Sequence, residues 1–355
     1  MVRAFQVLVA ALGLFLLLAT LAPLARTGEW WVRILDFPRQ QIALLLFVVV
    51  LVWLGTGPRS TASWGFAAAL ALAGSYQVSR MLPYTPVGRV EIEAVSCSDE
   101  HRLRIMVANV LMENRNAEGL LRIVRDARPD VLLVAEGDDW WDRQLAVLDA
   151  EYPNALKRPL DNKYGMHLFS RLPLRDAEIR VLVEEDIPSV RASVRLRSGQ
   201  WVDFHGLHPR PPKPGSDTEP RDAELLIAGR EVREAGRPAV VAGDMNDVAW
   251  SSTTKHFQRI AEVLDPRRGR GTFNTFSALL PWPLRWPLDH VFATKHFGLS
   301  ELRLLPHFNS DHLPVLVELC HRPDLAARQQ PSPTWLVRLR RIEGRLRRSL
   351  RPGFA

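Results

Sequence analysis

At 355 residues the chain has room for more than one domain. Its 47% apolar and 24% charged residues are ordinary for a soluble protein, but the average hides a nearly all-apolar first eighty residues. Two cysteines, Cys97 and Cys320, exclude a disulfide framework and a Cys-rich zinc site.

The net charge of +7 is equally uneven. From His321 to Ala355 nine arginines face only Asp324 and Glu343, which accounts for the whole excess and leaves the rest of the chain neutral. An enzyme of nucleic acids spreads basic residues over its binding face, so a nucleic-acid partner is possible but not favoured.

Three apolar runs open the chain: Phe5–Ala25, Gln41–Gly55 and Ala62–Val78. The first is long enough to cross a bilayer as a helix, and the uncharged cores of all three favour insertion. A cleaved signal peptide is the alternative for the first, but two further runs directly behind it argue against cleavage. Residues 1–80 are therefore expected to form three transmembrane helices in an integral membrane protein. Between the first two, Trp30 and Trp31 beside charges look like a segment at headgroup level. Three spans put Arg26, Arg33, Arg39, Arg80 and Arg89 on the side of the following domain, against Arg3 and Arg59 on the other. That count leans toward a cytoplasmic domain.

Residues 81–101 are expected to be a linker, extended and Pro-containing over Met81–Arg89. Strand and helix patterns then alternate. Arg102–Val110 alternates as a half-buried strand, and Ala117–Arg128 carries Leu120, Leu121 and Val124 at helical spacing. Pro129 stops that helix, and Asp130–Ala135 is a buried strand ending at Glu136. Short strands follow at Met166–Ser170, Glu178–Val183, Val190–Leu196 and Trp201–Gly206. Glu219–Ala235 is a helix, Pro238–Ala242 a buried strand and Thr253–Leu264 a helix. Leu288–Ala293, Leu302–Pro306 and Leu313–Leu319 close the set. Many strands with few helices predict an α/β fold of two packed mixed sheets flanked by helices.

Polar residues collect where these apolar strands end, the position from which a scaffold aims side chains into a cleft. They are Asn109, Glu136, His208, the run Gly243–Asp247, Asp289–His290 and Ser310–His312. Carboxylate, carbonyl and water oxygens suit Mg²⁺ or Mn²⁺, which polarise phosphoryl oxygens. A carboxylate–His pair orients an imidazole for proton transfer. The Cys/His spacing of a zinc site and a Gly-rich phosphate loop are both missing.

These residues resemble the endonuclease/exonuclease/phosphatase superfamily, also called DNase-I-like. The likeness covers about Arg102–Leu319. It is carried by GDMN (Gly243–Asn246) and SDHLP (Ser310–Pro314), with VAN (Val107–Asn109), VAEG (Val134–Gly137), GLHPRPP (Gly206–Pro212) and LDH (Leu288–His290) in the family's order. The resemblance implies a four-layered α/β sandwich over residues 102–320 that hydrolyses phosphate esters with Mg²⁺ or Mn²⁺. It implies that Glu136 holds the metal with Asn109 and Asp311 close by. Asp244 positions or deprotonates the attacking water, and Asn246 holds the phosphate. His312, oriented by Asp289, is the acid–base residue or binds the scissile phosphate, and His208 contacts the phosphoryl oxygens. Ala135 and Leu207 stand where the family usually has Gln and Thr, which bears on fine geometry rather than reaction class.

Fold alone does not choose the phosphoester. The neutral body and the spans point to a lipid-linked or membrane-associated phosphate or pyrophosphate ester, with membrane lipids as partners. A membrane-tethered nuclease is the second reading. Some bacterial members with this anchored layout are linked to polyprenyl-pyrophosphate metabolism and glycopeptide resistance, and usually place the domain outside. A catalytically silent scaffold would lose part of the metal and His set, and every such position is filled here.

Four further features remain open. Phe276–Pro287, apolar and Trp-rich, either packs into the domain's own core or forms a lip that dips into lipid. Trp140 and Trp141 are expected to pack locally. The cysteines are read as unpaired buried thiols, with a bridge between first and last strands, implying an oxidising compartment, as the alternative. Residues 321–355 are read as a basic amphipathic tail for anionic lipid, with Trp335, Leu339, Ile342, Leu346 and Leu350 on one side.

Overall fold

The computed structural model describes residues 2–25 and 27–329. The expected amphipathic helix of the tail lies outside the described residues.

Three long helices come first: α1 (Val2–Leu21), α3 (Arg39–Thr56) and α4 (Thr61–Met81), with a single turn, α2 (Trp30–Arg33), between the first two. They pack on one another through Leu16, Leu46, Val49, Trp53 and Leu70, while Leu8, Phe15, Phe47 and Leu72 stay exposed. Helices that are apolar all round occur either in the core of a large protein or across a membrane. Two helices, over Val2–Leu24 and Arg39–Thr56, are long and apolar enough to cross a membrane. α4 has comparable length, but its Ala, Gly and Ser content leaves it less apolar. Where the helices meet the rest of the chain, Arg39 pairs with Asp36 and donates to Gln77 (2.7 Å), which donates to Thr20 (3.0 Å). Pairing of this kind offsets much of the cost of removing polar groups from water.

The remaining strands form two six-stranded sheets. The first takes the order β11 (Phe297–Leu304), β12 (Val315–His321), β1 (Arg102–Asn109), β2 (Val131–Ala135), β4 (Met166–Ser170), β3 (Asn154–Arg158). The second runs β5 (Leu174–Val181), β6 (Pro188–Arg195), β7 (Trp201–Gly206), β8 (Ala239–Asp244), β10 (Asp289–Thr294), β9 (Val263–Leu264). β1 pairs parallel with β2, and β7 parallel with β8; the other pairings are antiparallel.

Strand periodicity sorts the core into layers. Ile105, Val107, Leu133, Val240, Ala242 and Val317 point inward and fill the space between the sheets. Met106, Ala108, Leu132 and Val134 point outward, under α5 (Ala117–Ala127) and α6 (Asp139–Leu145). On the second sheet Ala239 and Val241 point outward, under α7 (Glu219–Ala235) and α8 (Ser252–Ala261). Burial on both faces explains why the central strands read as unbroken apolar runs. The result is the four-layered α/β sandwich, helix–sheet–sheet–helix.

Several expectations need correction. The cysteines are not free thiols: Cys97 and Cys320 are disulfide-bonded, with Cα atoms 5.5 Å apart. The cause is that residues 81–101 are not a detached linker. Ile92 is buried in the core, and Ala94 bridges to Leu299, which carries Cys97 along the sheet edge to Cys320. The helix expected over Thr253–Leu264 stops at Ala261, with Glu262 left-handed, and continues as β9. Two elements, α6 and β3, escaped the sequence reading. Trp141 is fully buried and Trp140 packs edge-on against it, as expected of local packing.

Candidate active site

The site lies where β1, β2 and β8 end and β10 begins. Register alone brings its carboxylates close: Asp289 is the cross-strand partner of Asp244, and Asn109 that of Ala135, just before Glu136. Two backbone positions adopt left-handed conformations to aim their side chains inward, Glu136 at φ 63° and Asn246 at φ 48°. Such strain persists where the surroundings over-determine it, and it gathers at functional sites. Gly243 is required for space: a Cβ there would stand 1.9 Å from the Leu207 carbonyl oxygen.

His312 is the centre of the arrangement. Its Nδ1 lies 2.7 Å from Asp289 Oδ2, and its Nε2 3.5 Å from Asp244 Oδ2. All three side chains are buried. His208 approaches the same Asp244 oxygen from the other side, with Nε2 at 3.6 Å. Burial alone would depress the imidazole pKa of His312, but the Asp289 and Asp244 charges outweigh it and raise it to about 10. The same competition splits the two carboxyls. Burial raises Asp244, which has Asp289 as a like-charged neighbour, and the opposing His312 does not cancel this. For Asp289 the hydrogen-bonded His312 overcomes burial and lowers the value. Neighbouring acids with proton affinities pushed apart are what acid–base work requires.

Asn109 bridges the two halves, donating its amide to Glu136 Oε1 (2.9 Å) and Asp244 Oδ2 (3.1 Å), while its Oδ1 accepts from the Leu111 N–H (3.0 Å). Asn246 donates its backbone N–H to Asp244 Oδ1 (2.9 Å) and its amide to the Pro209 carbonyl (2.9 Å). Its second amide proton remains for a ligand oxygen.

Asp244, Asp289 and His312 each present a possible ligand atom within 4.8 Å of the others. Within this group His312 Nδ1 is already engaged by Asp289, which leaves Nε2 and the remaining carboxylate oxygens facing the site. Glu136 with Asp311 is a second candidate for holding a cation. Burial raises the Asp311 carboxyl, and Glu136 adds to the rise against the opposing pull of His312. Asp311 Oδ1 is buried with no hydrogen-bond partner among the described residues. A buried anionic oxygen without a donor, beside a second carboxylate, fits a hard divalent cation.

All eight expected site residues thus converge on one pocket; of their supports, Ser310 and His290 stood in the sequence motifs without a role, and Thr275 and Arg221 went unremarked. Thr275 Oγ1 accepts the Leu288 and Asp289 N–H groups (both 3.3 Å). Ser310 Oγ donates to the Asn109 carbonyl (2.7 Å) and accepts from the His312 N–H (3.1 Å). Arg221, fully buried, donates to the Asn246 carbonyl (3.0 Å). Its spacing with Leu225, Ala228 and Val232 on the inner face of α7 was the available signal. His290 stands behind the site as a strut, its Nε2 2.8 Å from the Asp247 carbonyl and its Nδ1 2.6 Å from Arg267.

A family model described as the endonuclease/exonuclease/phosphatase family matches residues 106–312, more than half of the chain. The chain belongs to that family, whose members are metal-dependent hydrolases of phosphodiester bonds, and it is such a hydrolase. Among solved structures, it is similar to an endonuclease/exonuclease/phosphatase from Beutenbergia cavernae at 19% identity and TM-score 0.51, over 62% of this chain and 72% of that one. It is similar to D. rerio TDP2 complexed with a single-strand DNA product at 18% identity and TM-score 0.52, over 61% and 98% of the two chains. An endonuclease/exonuclease/phosphatase from Bacteroides vulgatus gives 18% and 0.51, over 61% and 98%. At these identities the likeness is one of fold. No curated protein sequence matches the chain.

Proposed function

We propose that this protein is a membrane-anchored, Mg²⁺- or Mn²⁺-dependent phosphoesterase that hydrolyses a lipid-linked or otherwise membrane-associated phosphate or pyrophosphate ester. The observation that carries this reading is the way the active-site loop is tied to the ends of the apolar helices. Asp247–Trp250 directly follows Asp244 and Asn246. Trp250 Nε1 donates to the Asp36 carbonyl (2.7 Å), Arg80 donates to the Trp250 carbonyl (2.9 Å), and Tyr84 Oη donates to the Ala249 carbonyl (2.6 Å). Phe37, Tyr84, Val248, Trp250 and Leu288 form one apolar cluster across the junction. With the helices in a bilayer, including α4 as the third span, the site is held within reach of headgroup phosphates.

In this reading Glu136 and Asp311 would hold the cation, which would supply neutralisation of phosphoryl charge and polarisation at phosphorus. Asp244 takes the proton of the attacking water. Asn246 and His208 hold phosphoryl oxygens by hydrogen bonds that strengthen as charge develops. Asp289, on Nδ1, fixes the imidazole of His312 so that Nε2–H faces the reacting group.

The Cys97–Cys320 bridge supports a domain outside the cytoplasm, since disulfides persist in oxidising compartments. A covalent bridge is a stronger mark of compartment than a margin of a few arginines. Of the residues counted on the domain's side, Arg33 and Arg39 pair with Asp36, and Arg80 is bonded to Trp250.

The decisive experiment assays the full chain in detergent with Mg²⁺ against a polyprenyl pyrophosphate and against plasmid DNA. Release of phosphate from the lipid is expected. DNA nicking without lipid hydrolysis would replace this reading with that of a tethered nuclease. A reporter fused at Ala355 is expected to be active only outside the cytoplasm.

A further inference from the structure

The segment between Thr275 and Leu288 closes one side of the active site and exposes an apolar tip. Leu279 is 67% exposed and Trp282 60%, with Leu280 and Leu284 beside them also exposed. The base of the segment is fixed on both sides. Toward the site, Ala278 N–H donates to the Asp311 carbonyl (2.6 Å), Leu313 N–H to the Thr275 carbonyl (3.1 Å), and the Phe276 ring lies 4.9 Å from that of His312. Toward the helices, Trp286 packs edge-on against Phe37 at 6.1 Å, and Gln41 donates to the Pro283 carbonyl (2.6 Å).

That last bond sets the level of the tip. Gln41 is in the first turn of α3, and at about 1.5 Å per residue the exposed Leu44 and Leu45 lie only about 5–6 Å further along the helix. The tip therefore sits beside the start of the exposed apolar belt of a helix able to cross a membrane.

Much of the segment's hydrogen-bonding capacity is also absent or turned inward. Pro281, Pro283 and Pro287 carry no N–H to satisfy. Leu280, Leu284 and Arg285 direct their N–H groups to carbonyls within the loop. The one charged side chain, Arg285, turns inward, donating to the Leu280 (2.6 Å) and Ala278 (3.1 Å) carbonyls. A solvent-facing loop has no need to internalise its donors; a loop entering lipid does.

We propose that Leu279, Leu280, Trp282 and Leu284 form a lip that enters the lipid interface beside the active-site mouth, with bilayer lipid as its partner. The inference rests on the membrane-anchored reading above and goes beyond it: the catalytic domain grips the bilayer itself, with a loop bonded to Asp311 and packed on His312. A substrate headgroup then meets the site without leaving the membrane surface.

The test uses the full chain in phosphatidylcholine–phosphatidylglycerol vesicles. Since both native cysteines are paired, Trp282→Cys supplies a single free thiol for an environment-sensitive fluorophore. Leu279→Cys repeats the measurement should the first variant fail to fold. The control is Ser198→Cys, on an exposed turn at the far end of the second sheet, where Ser198 N–H bonds the Glu100 carbonyl (2.9 Å). Blue-shifted emission at 282 or 279, quenched by nitroxide-labelled lipid, with neither effect at 198, is the expected result. Water-like, unquenched emission from chains that float with the vesicles overturns the lip and leaves the anchor standing. Chains that do not float overturn both. Blue-shifted emission that lipid nitroxides do not quench, but that a second labelled copy does, assigns the lip to self-association instead.

Discussion

The two ends of the sandwich follow opposite rules. At the end remote from the helices charges meet answering groups. Arg104 donates to Glu318 (2.9 Å), Glu301 (3.0 Å) and the Ala127 carbonyl (3.1 Å), while Asp130 accepts from Arg197 (2.6 Å) and the Arg104 N–H (2.9 Å). The Cys97–Cys320 bridge closes the same end. At the catalytic end Asp244, Asp289, Asp311 and Glu136 crowd together, Asp289 Oδ1 and Asp311 Oδ1 have no hydrogen-bond partner among the described residues, and two of the eight site residues sit at positive φ. Convergent carboxylates repel one another and resist desolvation. A fold tolerates such an end when the rest of it is over-determined, and the remote end supplies that.

If that contrast holds, substitutions at the two ends have separable effects. The largest effect is expected from Asp244→Asn, which lowers kcat by about 10²–10⁴-fold, the usual scale for a positioned acid–base group. Thermal stability should hold or rise, because a crowded carboxylate has been neutralised. Glu136→Gln should weaken Mn²⁺ binding, measured calorimetrically, by at least the ~10–100-fold that even residues behind metal ligands contribute. A loss of stability in either variant comparable to its loss of function would break the contrast.

The converse holds for the remote end. Replacing both Cys97 and Cys320 by serine should cost about 2–5 kcal/mol in denaturant unfolding, since the bridge closes a long loop. The rate per folded molecule should change little, given that the bridge and the site lie at opposite ends of β1 and β12. A fall in kcat as large as that of Asp244→Asn would show the ends to be coupled.

What the amino-acid pattern revealed divides along the same line. The site was legible because each of its residues interrupts an apolar run at a strand end, and Asn109, Glu136, Asp244, Asp289 and His312 all lie where that punctuation put them. The remote end was not, because its order depends on pairing at a distance. Nothing local to Cys97 or Cys320 records that residues 92–97 run beside β11. Edge strands also blurred. β11 was expected from Leu302 but begins at Phe297, and β5 begins at Leu174 rather than Glu178, since both expose one side and lack a clean alternation. α6 is seven residues long, too short to establish a period. Thr275 serves the site through its hydroxyl alone, with no neighbouring pattern to mark it.

The smallest expected effect probes how far the strained end extends. Glu224, on the inner face of α7, is 2% exposed, and its Oε1 has no hydrogen-bond partner among the described residues. Burial, with Glu184 as a like-charged neighbour, lifts its carboxyl to about 8. Glu184 in turn bonds Arg210, two residues beyond His208, so the group belongs to the catalytic end. The sign follows from linkage. Between about 4.5, the ordinary glutamate value, and about 8 the unfolded chain releases this proton and the folded chain keeps it, so stability falls as pH rises through that window. Glu224→Gln keeps the shape and removes the titration. Its melting temperature should exceed that of the parent at pH 8 and approach it at pH 4.5, with the gap opening progressively between. Equal melting temperatures at both pH values would mean that the carboxyl ionises freely, and that the strained end of the fold stops at the eight site residues.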